Sequence, residues 1–150
     1  MGKNQNFLIK TRDFGEIPVL KENIIHFPKG IYAFEDIKSF VLISPLGENK
    51  FPMWLQSAQS IEPCFIVYNP FEVFDGYSPL ADSEAKSEIG FEDGDELVYL
   101  AIAVIPQDYK KTTINLKSPI VVNRTKLKAV QVILEQDYPI RFPVFEKGDG

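Results

Sequence analysis

Leu97-Val98-Tyr99-Leu100-Ala101-Ile102-Ala103-Val104-Ile105, stopped by Pro106, is apolar on both of the faces an extended chain would present. Such a run reads as a central strand covered on each side, although periodicity by itself fits a buried helix equally well. The rest of the sequence favours the strand. Eleven Pro and nine Gly cut the 150 residues into short apolar runs, a punctuation suited to many strands joined by turns. Working outward, Phe7–Thr11, Ile24–Phe27, Phe40–Ser44, Met53–Ser57, Cys64–Tyr68, Thr112–Leu116, Ile120–Val122 and Val130–Leu134 are further strand candidates, rich in β-branched and aromatic residues. Two of them alternate: Ile114 and Leu116 face away from Thr113 and Asn115, and Val130, Val132 and Leu134 face away from Gln131 and Ile133.

One helix is predicted, Asp82–Ile89, with Asp82 capping the first-turn amides, Ala85 and Ile89 on one face, and Gly90 in the left-handed position after it. It is short and peripheral. Glu35-Asp36-Ile37-Lys38 is expected to add one more turn, its acids near the positive end. Met1–Asn6 and Glu146–Gly150 read as frayed ends. No repeat, low-complexity stretch or linker divides the chain, so residues 1–150 are read as one all-β domain, a compact antiparallel barrel-like fold with one short peripheral helix. A chain of this size buries roughly 70% of its unfolded surface and needs no disulfide or metal staple.

Composition narrows the function. Cys64 is the single cysteine, and no apolar stretch approaches the ~18 residues of a membrane span, which predicts a soluble protein of a reducing compartment, the cytoplasm. The sequon Asn123-Arg124-Thr125 is read as chance. A formal charge of -5 disfavours attraction to phosphate backbones or anionic lipid, so neither direct nucleic-acid binding nor a membrane partner is expected. The charge is unevenly placed: residues 72–96 carry nine acids and one base. That block is either a solvated face or a docking surface for a basic partner.

Catalytic signatures are missing. With one His and one Cys the chain lacks zinc ligands of the Cys/His type, and Asp93-Gly94-Asp95-Glu96, without the remainder of a calcium loop, reads as a solvated hairpin turn. No Gly-x-Ser-x-Gly, Walker or dinucleotide loop is present. His26 reads as a strand histidine hydrogen-bonded at the core edge, and Cys64 as a buried small hydrophobe. Paired carboxylates remain the one open enzyme class, because their separation belongs to the fold. We expect no enzyme, no catalytic residue, no metal and no cofactor.

Two segments remain as binding candidates. Lys110, Lys111, Lys117, Arg124, Lys126 and Lys128 gather between residues 110 and 128, but only Tyr109 accompanies them as a stacking aromatic, which makes an RNA-binding module the alternative reading. Tyr68-Asn69-Pro70-Phe71-Glu72-Val73-Phe74-Asp75-Gly76-Tyr77 combines aromatics, acids and turn signals, and reads as a loop or edge strand. Its Phe71 and Phe74 are either core residues or anchors inside a polar rim.

Several stretches together resemble the FliW family of bacterial flagellar assembly factors. They are Phe14-Gly15-Glu16-Ile17, Ile24-Ile25-His26-Phe27-Pro28-Lys29-Gly30-Ile31, Phe34-Glu35-Asp36, Trp54-Leu55-Gln56-Ser57, Phe65-Ile66-Val67-Tyr68-Asn69-Pro70-Phe71, and Asn115-Leu116-Lys117-Ser118-Pro119-Ile120-Val121-Val122-Asn123 followed by Gln131-Val132-Ile133-Leu134. Their order and spacing, over about residues 7–143, make the match specific. The resemblance implies an antiparallel barrel-like domain without a catalytic site and two protein partners, flagellin and the RNA-binding translational repressor CsrA. FliW-like proteins remove CsrA from flagellin messenger RNA, and accumulated flagellin sequesters them again. The family commonly has Gly-Ile-Pro-Gly-Phe-Glu where this chain reads Gly30-Ile31-Tyr32-Ala33-Phe34-Glu35, and Gly near Ala129. Loss of those glycines predicts altered turn geometry.

The combined expectation is a cytoplasmic, non-enzymatic antagonist of CsrA that also binds flagellin and is a monomer when free. Its partner-binding residues are expected to be Asn69, Phe71, Glu72, Val73, Phe74, Asp75, Glu92, Asp93 and Asp95. Phe71, Val73 and Phe74 are the candidate anchors for a disordered flagellin segment. The acids Glu72, Asp75, Glu92, Asp93 and Asp95 would steer toward the cationic surface of CsrA and repel RNA from it.

Overall fold

Strand Leu97–Val104 (β7) is the axis on which the other elements are hung, and the computed structural model, which describes residues 6–145, shows why both its faces are apolar. Val98, Leu100 and Ile102 point into one hydrophobic cluster, together with Phe27, Phe40, Leu55, Val67 and Ile120. On the opposite face, Leu97 and Tyr99 pack under a helix, and Ala101 and Ala103 under a group of aromatic rings. Sandwiched in this way from Leu97 to Ala103, the strand has no face to leave polar; the coverage expected of the whole run stops there, because Val104 and Ile105 are exposed.

The elements before it are a hairpin of β1 (Asn6–Lys10) and β2 (Glu16–Leu20), then β3 (Ile25–His26), β4 (Ser39–Ile43), β5 (Met53–Ser57) and β6 (Cys64–Tyr68). Two short helices follow, α1 (Pro70–Val73) and α2 (Ser83–Glu88). After β7 come β8 (Thr113–Ile114), β9 (Ile120–Asn123), β10 (Lys128–Gln131) and β11 (Phe142–Pro143). The main sheet runs β11-β8-β7-β6-β5-β4-β3-β10-β9, and β9 pairs back to β7, which closes seven strands into a barrel. The pairings are antiparallel except one: β10 meets β3 in parallel at Lys128 and His26. Inside, Phe27 and Phe40 are fully buried with ring centroids 4.9 Å apart, each worth about 2–3 kcal/mol of burial.

Local chemistry accounts for several departures from the sequence expectations. Glu16–Leu20 is a strand although it contains Pro18; the β1-β2 ribbon has only two strands, so proline takes an edge position where it costs no ladder bond on the open side. Pro70–Val73 is one helical turn rather than a loop or edge strand, started by Pro70 and capped by the Asn69 side chain, which accepts from the Phe71 N–H at 3.0 Å. Glu35–Lys38 is not helical; Ile37 N–H closes a turn on the Phe34 carbonyl at 3.1 Å. Helix α2 sits where expected, with Asp82 accepting from the Ala85 N–H at 2.9 Å, Ala85 and Ile89 buried, and Gly90 at φ 63°. Strand β10 ends at Gln131, but the alternation holds, with Val130 and Leu134 buried and Ile133 exposed.

The two missing glycines have different outcomes. Ala33 has φ 76°, so the turn keeps the left-handed backbone that glycine would adopt and carries the strain of a Cβ there. Ala129 lies inside β10 opposite Val122, and the left-handed residue of that turn is Leu127, at φ 56°. Gly30 is irreplaceable for a different reason: a Cβ would fall 2.6 Å from the Glu35 Cα. The expected frayed ends, Met1–Asn6 and Glu146–Gly150, lie outside the described residues except for Asn6, which opens β1.

Candidate functional site

One mouth of the barrel opens into a cavity of about 440 Å³. Its floor is the apolar interior, including Ile25, Leu42, Met53, Val98, Leu100 and Val122, and its rim carries Glu48, Glu72, Glu96 and Arg124. Concave, apolar and ringed by a few polar groups, it is the kind of site barrel mouths supply. Helix α1 stands at this mouth because β6 ends there, which brings Asn69 and Glu72 to the rim. The Asn69 carboxamide is already spent on the α1 cap.

The three aromatic and aliphatic candidates, Phe71 and Val73 on α1 and Phe74 at its C-terminal cap, separate by burial. Phe71 keeps 48% of its surface open, its ring meeting Tyr99 edge-on at 5.7 Å and Tyr77 at 5.4 Å. Val73 and Phe74 are half-buried against the second hydrophobic cluster, with Phe74 4.9 Å from Phe142 and 5.6 Å from Tyr138. Beneath them Tyr77 is buried and donates its hydroxyl to the Leu116 carbonyl at 2.7 Å, and burial pushes that phenol's pKa upward. Asp75 is exposed beside α1.

The acids of residues 92–96 do not form one bare cluster. Asp95 accepts from the Asn123 carboxamide at 2.9 Å, from the Glu92 N–H at 3.0 Å and from Lys126 at 3.1 Å. Those bonds, led by Asn123, hold its carboxyl below the usual carboxylate range. Glu92 pairs with Lys126 at 2.7 Å, Glu96 lies 3.6 Å from Arg124, and Asp93 is exposed. The hairpin-turn reading of Asp93–Glu96 therefore describes a turn pinned to the barrel. Glu48 and Arg124 went unmarked as rim residues because only barrel closure brings their loops beside Glu72; no local pattern signals it.

The basic stretch is dispersed by the same contacts. Lys126 is held by Glu92, Asp95 and the Gly90 carbonyl, Lys117 donates to the Gln136 carbonyl at 2.8 Å, and Arg124 faces Glu96. Lys110, Lys111 and Lys128 are exposed but belong to different elements, a 3-10 turn and β10. Cys64 is buried, and desolvation pushes its thiol up to about 11, against any nucleophilic role. His26 differs from expectation: it is exposed on a two-residue strand whose backbone N–H bonds the Leu127 carbonyl, and its ring is not at the core edge. Asn123 is fully buried and donates to the Ile89 carbonyl as well as to Asp95, which rules out glycan attachment in the folded chain. Among the described residues no group of three His, Cys, Asp or Glu side chains is placed to hold a metal ion, and no helix is long and apolar enough to cross a membrane.

Comparison with known proteins adds the context. A family profile described as FliW protein matches residues 8–144. The flagellar assembly factor FliW of Caldicellulosiruptor bescii is 38% identical over 144 residues, covering 95% of this chain and 93% of its own. That of Syntrophomonas wolfei is 39% identical over 133 residues, 88% of this chain and 85% of its own. A crystal structure of a flagellar assembly factor FliW superposes with a TM-score of 0.86 at 28% identity, covering 94% of this chain and 99% of that one.

Proposed function

The chain belongs to the FliW family of flagellar assembly factors, and from that premise we propose that the barrel mouth and helix α1 form the surface through which it exchanges partners. As a member of this family it is a non-enzymatic regulator of flagellin synthesis that acts by binding CsrA and flagellin. We place it in the cytoplasm, where translation is controlled.

One observation carries the assignment of the surface. Phe71, half exposed, sits directly beside Glu72 on α1, and Glu72 shares the rim of an apolar mouth with Glu48 and Glu96. An aromatic anchor next to a negative rim suits partners that present apolar segments and cationic surface. Phe71 is the anchor for a flagellin segment, while Val73 and Phe74 hold α1 to the barrel. Glu72, Asp75, Glu92 and Asp93 steer CsrA and repel RNA phosphates from it, with Asn69 and Asp95 shaping the two turns that present them.

The test is kinetic. Combined Glu72→Gln, Asp75→Asn, Glu92→Gln and Asp93→Asn should slow association with CsrA more than it speeds dissociation, because rim charges act mainly on the on-rate. Raising salt should erase the difference as the Debye length falls from ~10 Å at 0.1 M to ~3 Å at 1 M. Equal on-rates at low salt in stopped-flow mixing would return the acids to the role of a solvated face.

A further inference from the structure

Strand β4 is paired along its whole length with β5, but its other side is covered only at its start. The β3-β4 register stops at Ile25 opposite Phe40, while β5 continues opposite Val41, Leu42 and Ile43. Upstream of Ile25 the chain leaves the sheet through a 3-10 turn at Lys21–Asn23, closed by the Ile24 N–H on the Lys21 carbonyl at 3.2 Å. Bond directions follow from the flanking contacts. Phe27 N–H reaches the Lys38 carbonyl on the β3 side, and Ala58 N–H reaches the Ser39 carbonyl on the β5 side, both at 2.8 Å. Antiparallel alternation then aims the N–H and C=O of Leu42, and the N–H of Ser44, away from β5 and past the end of β3. Among the described residues no strand pairs with that edge.

Space flanks the open edge on both faces of the sheet. Leu42 and Ser44 line the 440 Å³ mouth on the inner face, and Val41 and Ile43 line a second cavity of about 300 Å³ on the outer face, walled by β2. Leu42 and Asn23 belong to both walls, so the cavities adjoin at the edge itself. A strand laid beside Leu42 would send alternate side chains into the two cavities, which is how strand addition combines main-chain affinity with side-chain selection. Charge narrows the occupant. Glu48, Glu72 and Glu96 face the inner cavity against a single guanidinium, Arg124, already 3.6 Å from Glu96.

The geometry points to a strand-addition site on β4: an extended segment of a partner protein, apolar where it enters each cavity and carrying Lys or Arg two residues from the one that enters the mouth, pairs with Leu42 and Ser44. This deepens the exchange reading and rests on it for the barrel mouth the two share, while the open edge of β4 and the outer cavity are independent of α1. The occupant is protein and not nucleic acid, because the rim is acidic and the two cavities are apolar.

A synthetic peptide, acetyl-Lys-Val-Leu-Thr-Lys-Val-amide, whose Leu enters the mouth with a Lys on either side of it on the same face, is titrated into the full-length protein and followed by amide NMR. Shifts should centre on Leu42–Ser44, Asn23 and Val98, and hydrogen exchange of the Leu42 amide should slow. Ser44→Pro removes an edge donor that serves no ladder, and should weaken the peptide about fivefold, the worth of one main-chain hydrogen bond. Val98→Phe fills the mouth from β7 and should weaken it at least as much, providing a second variant should Ser44→Pro disturb the fold. The same peptide with Glu in place of Lys should not bind. Shifts elsewhere, equal binding of the Glu peptide, or unchanged affinity in both folded variants would each overturn the site. CsrA binding measured on the same variants reports separately on the exchange reading.

Discussion

Truncating Phe71 and Phe74 separately should produce opposite phenotypes from two aromatics three residues apart, one inside helix α1 and one capping its C-terminal end. Phe74 is half-buried among three rings, Phe142 at 4.9 Å, Tyr138 at 5.6 Å and Tyr77 at 6.2 Å. Phe→Ala in a full core costs about 3–5 kcal/mol, and partial burial brings Phe74→Ala to about 2–3 kcal/mol. In a chain of this size each kcal/mol moves Tm by about 2–4 °C, so Phe74→Ala should unfold about 5–10 °C lower. Phe71 leaves 48% of its surface open, and Phe71→Ala should cost only about 1 kcal/mol and 2–4 °C. For flagellin the order reverses. Loss of an interface anchor costs about 2 kcal/mol or more, so Phe71→Ala should raise Kd roughly 30-fold while Phe74→Ala changes it little. Scanning calorimetry paired with isothermal titration, run where both variants are folded, reads both quantities. Wild-type affinity in Phe71→Ala, or lost affinity with unchanged Tm in Phe74→Ala, would refute the division between anchor and core.

Two further outcomes follow from the turns. Because the folded state holds the Asp95 pKa below its unfolded value, that group's stabilising contribution is full above the unfolded pKa and is lost as pH falls through the folded one. Asp95→Asn should therefore flatten the decline of Tm as pH falls below the ordinary carboxylate pKa of about 4, and an unchanged acid limb would show that Asp95 does not anchor the 92–95 turn to Asn123 and Lys126. Ala33→Gly relieves a left-handed alanine and should raise stability by about 0.5–1 kcal/mol, the steric gain less the extra unfolded-state entropy of glycine. A lower Tm would mean that the turn does not strain the residue.

The parts of this fold legible in sequence are those where local pattern and global role coincide. Leu97–Ile105 reads as a doubly covered strand and is one as far as Ala103, where each face of β7 meets hydrophobic clusters, while Val104 and Ile105 are exposed; Asp82–Ile89 reads as a helix because its cap and its buried residues are local. Pro18 hid β2, since proline argues against a strand unless the ribbon is known to have an open edge. The helical turn at Pro70–Val73 was hidden by the double meaning of Asn69-Pro70, which opens turns and caps helices alike. At the candidate site, Glu72 and Phe71 stood out by composition, while Glu48 and Arg124 joined them only through barrel closure between β7 and β9. Burial separates Phe71 from Phe74 although they are three residues apart in similar sequence, a distinction that depends on Tyr138 and Phe142 arriving from the far end of the chain.

Partner exchange is the central claim, and one titration addresses it directly: fluorescently labelled flagellin messenger RNA leader bound to CsrA, to which this protein and then flagellin are added while anisotropy is recorded. The account predicts that the protein leaves free RNA unaffected, lowers anisotropy only when CsrA is present, and that flagellin restores the CsrA-bound signal. A rise in anisotropy with this protein and RNA alone, or RNA release that flagellin fails to reverse, would contradict it.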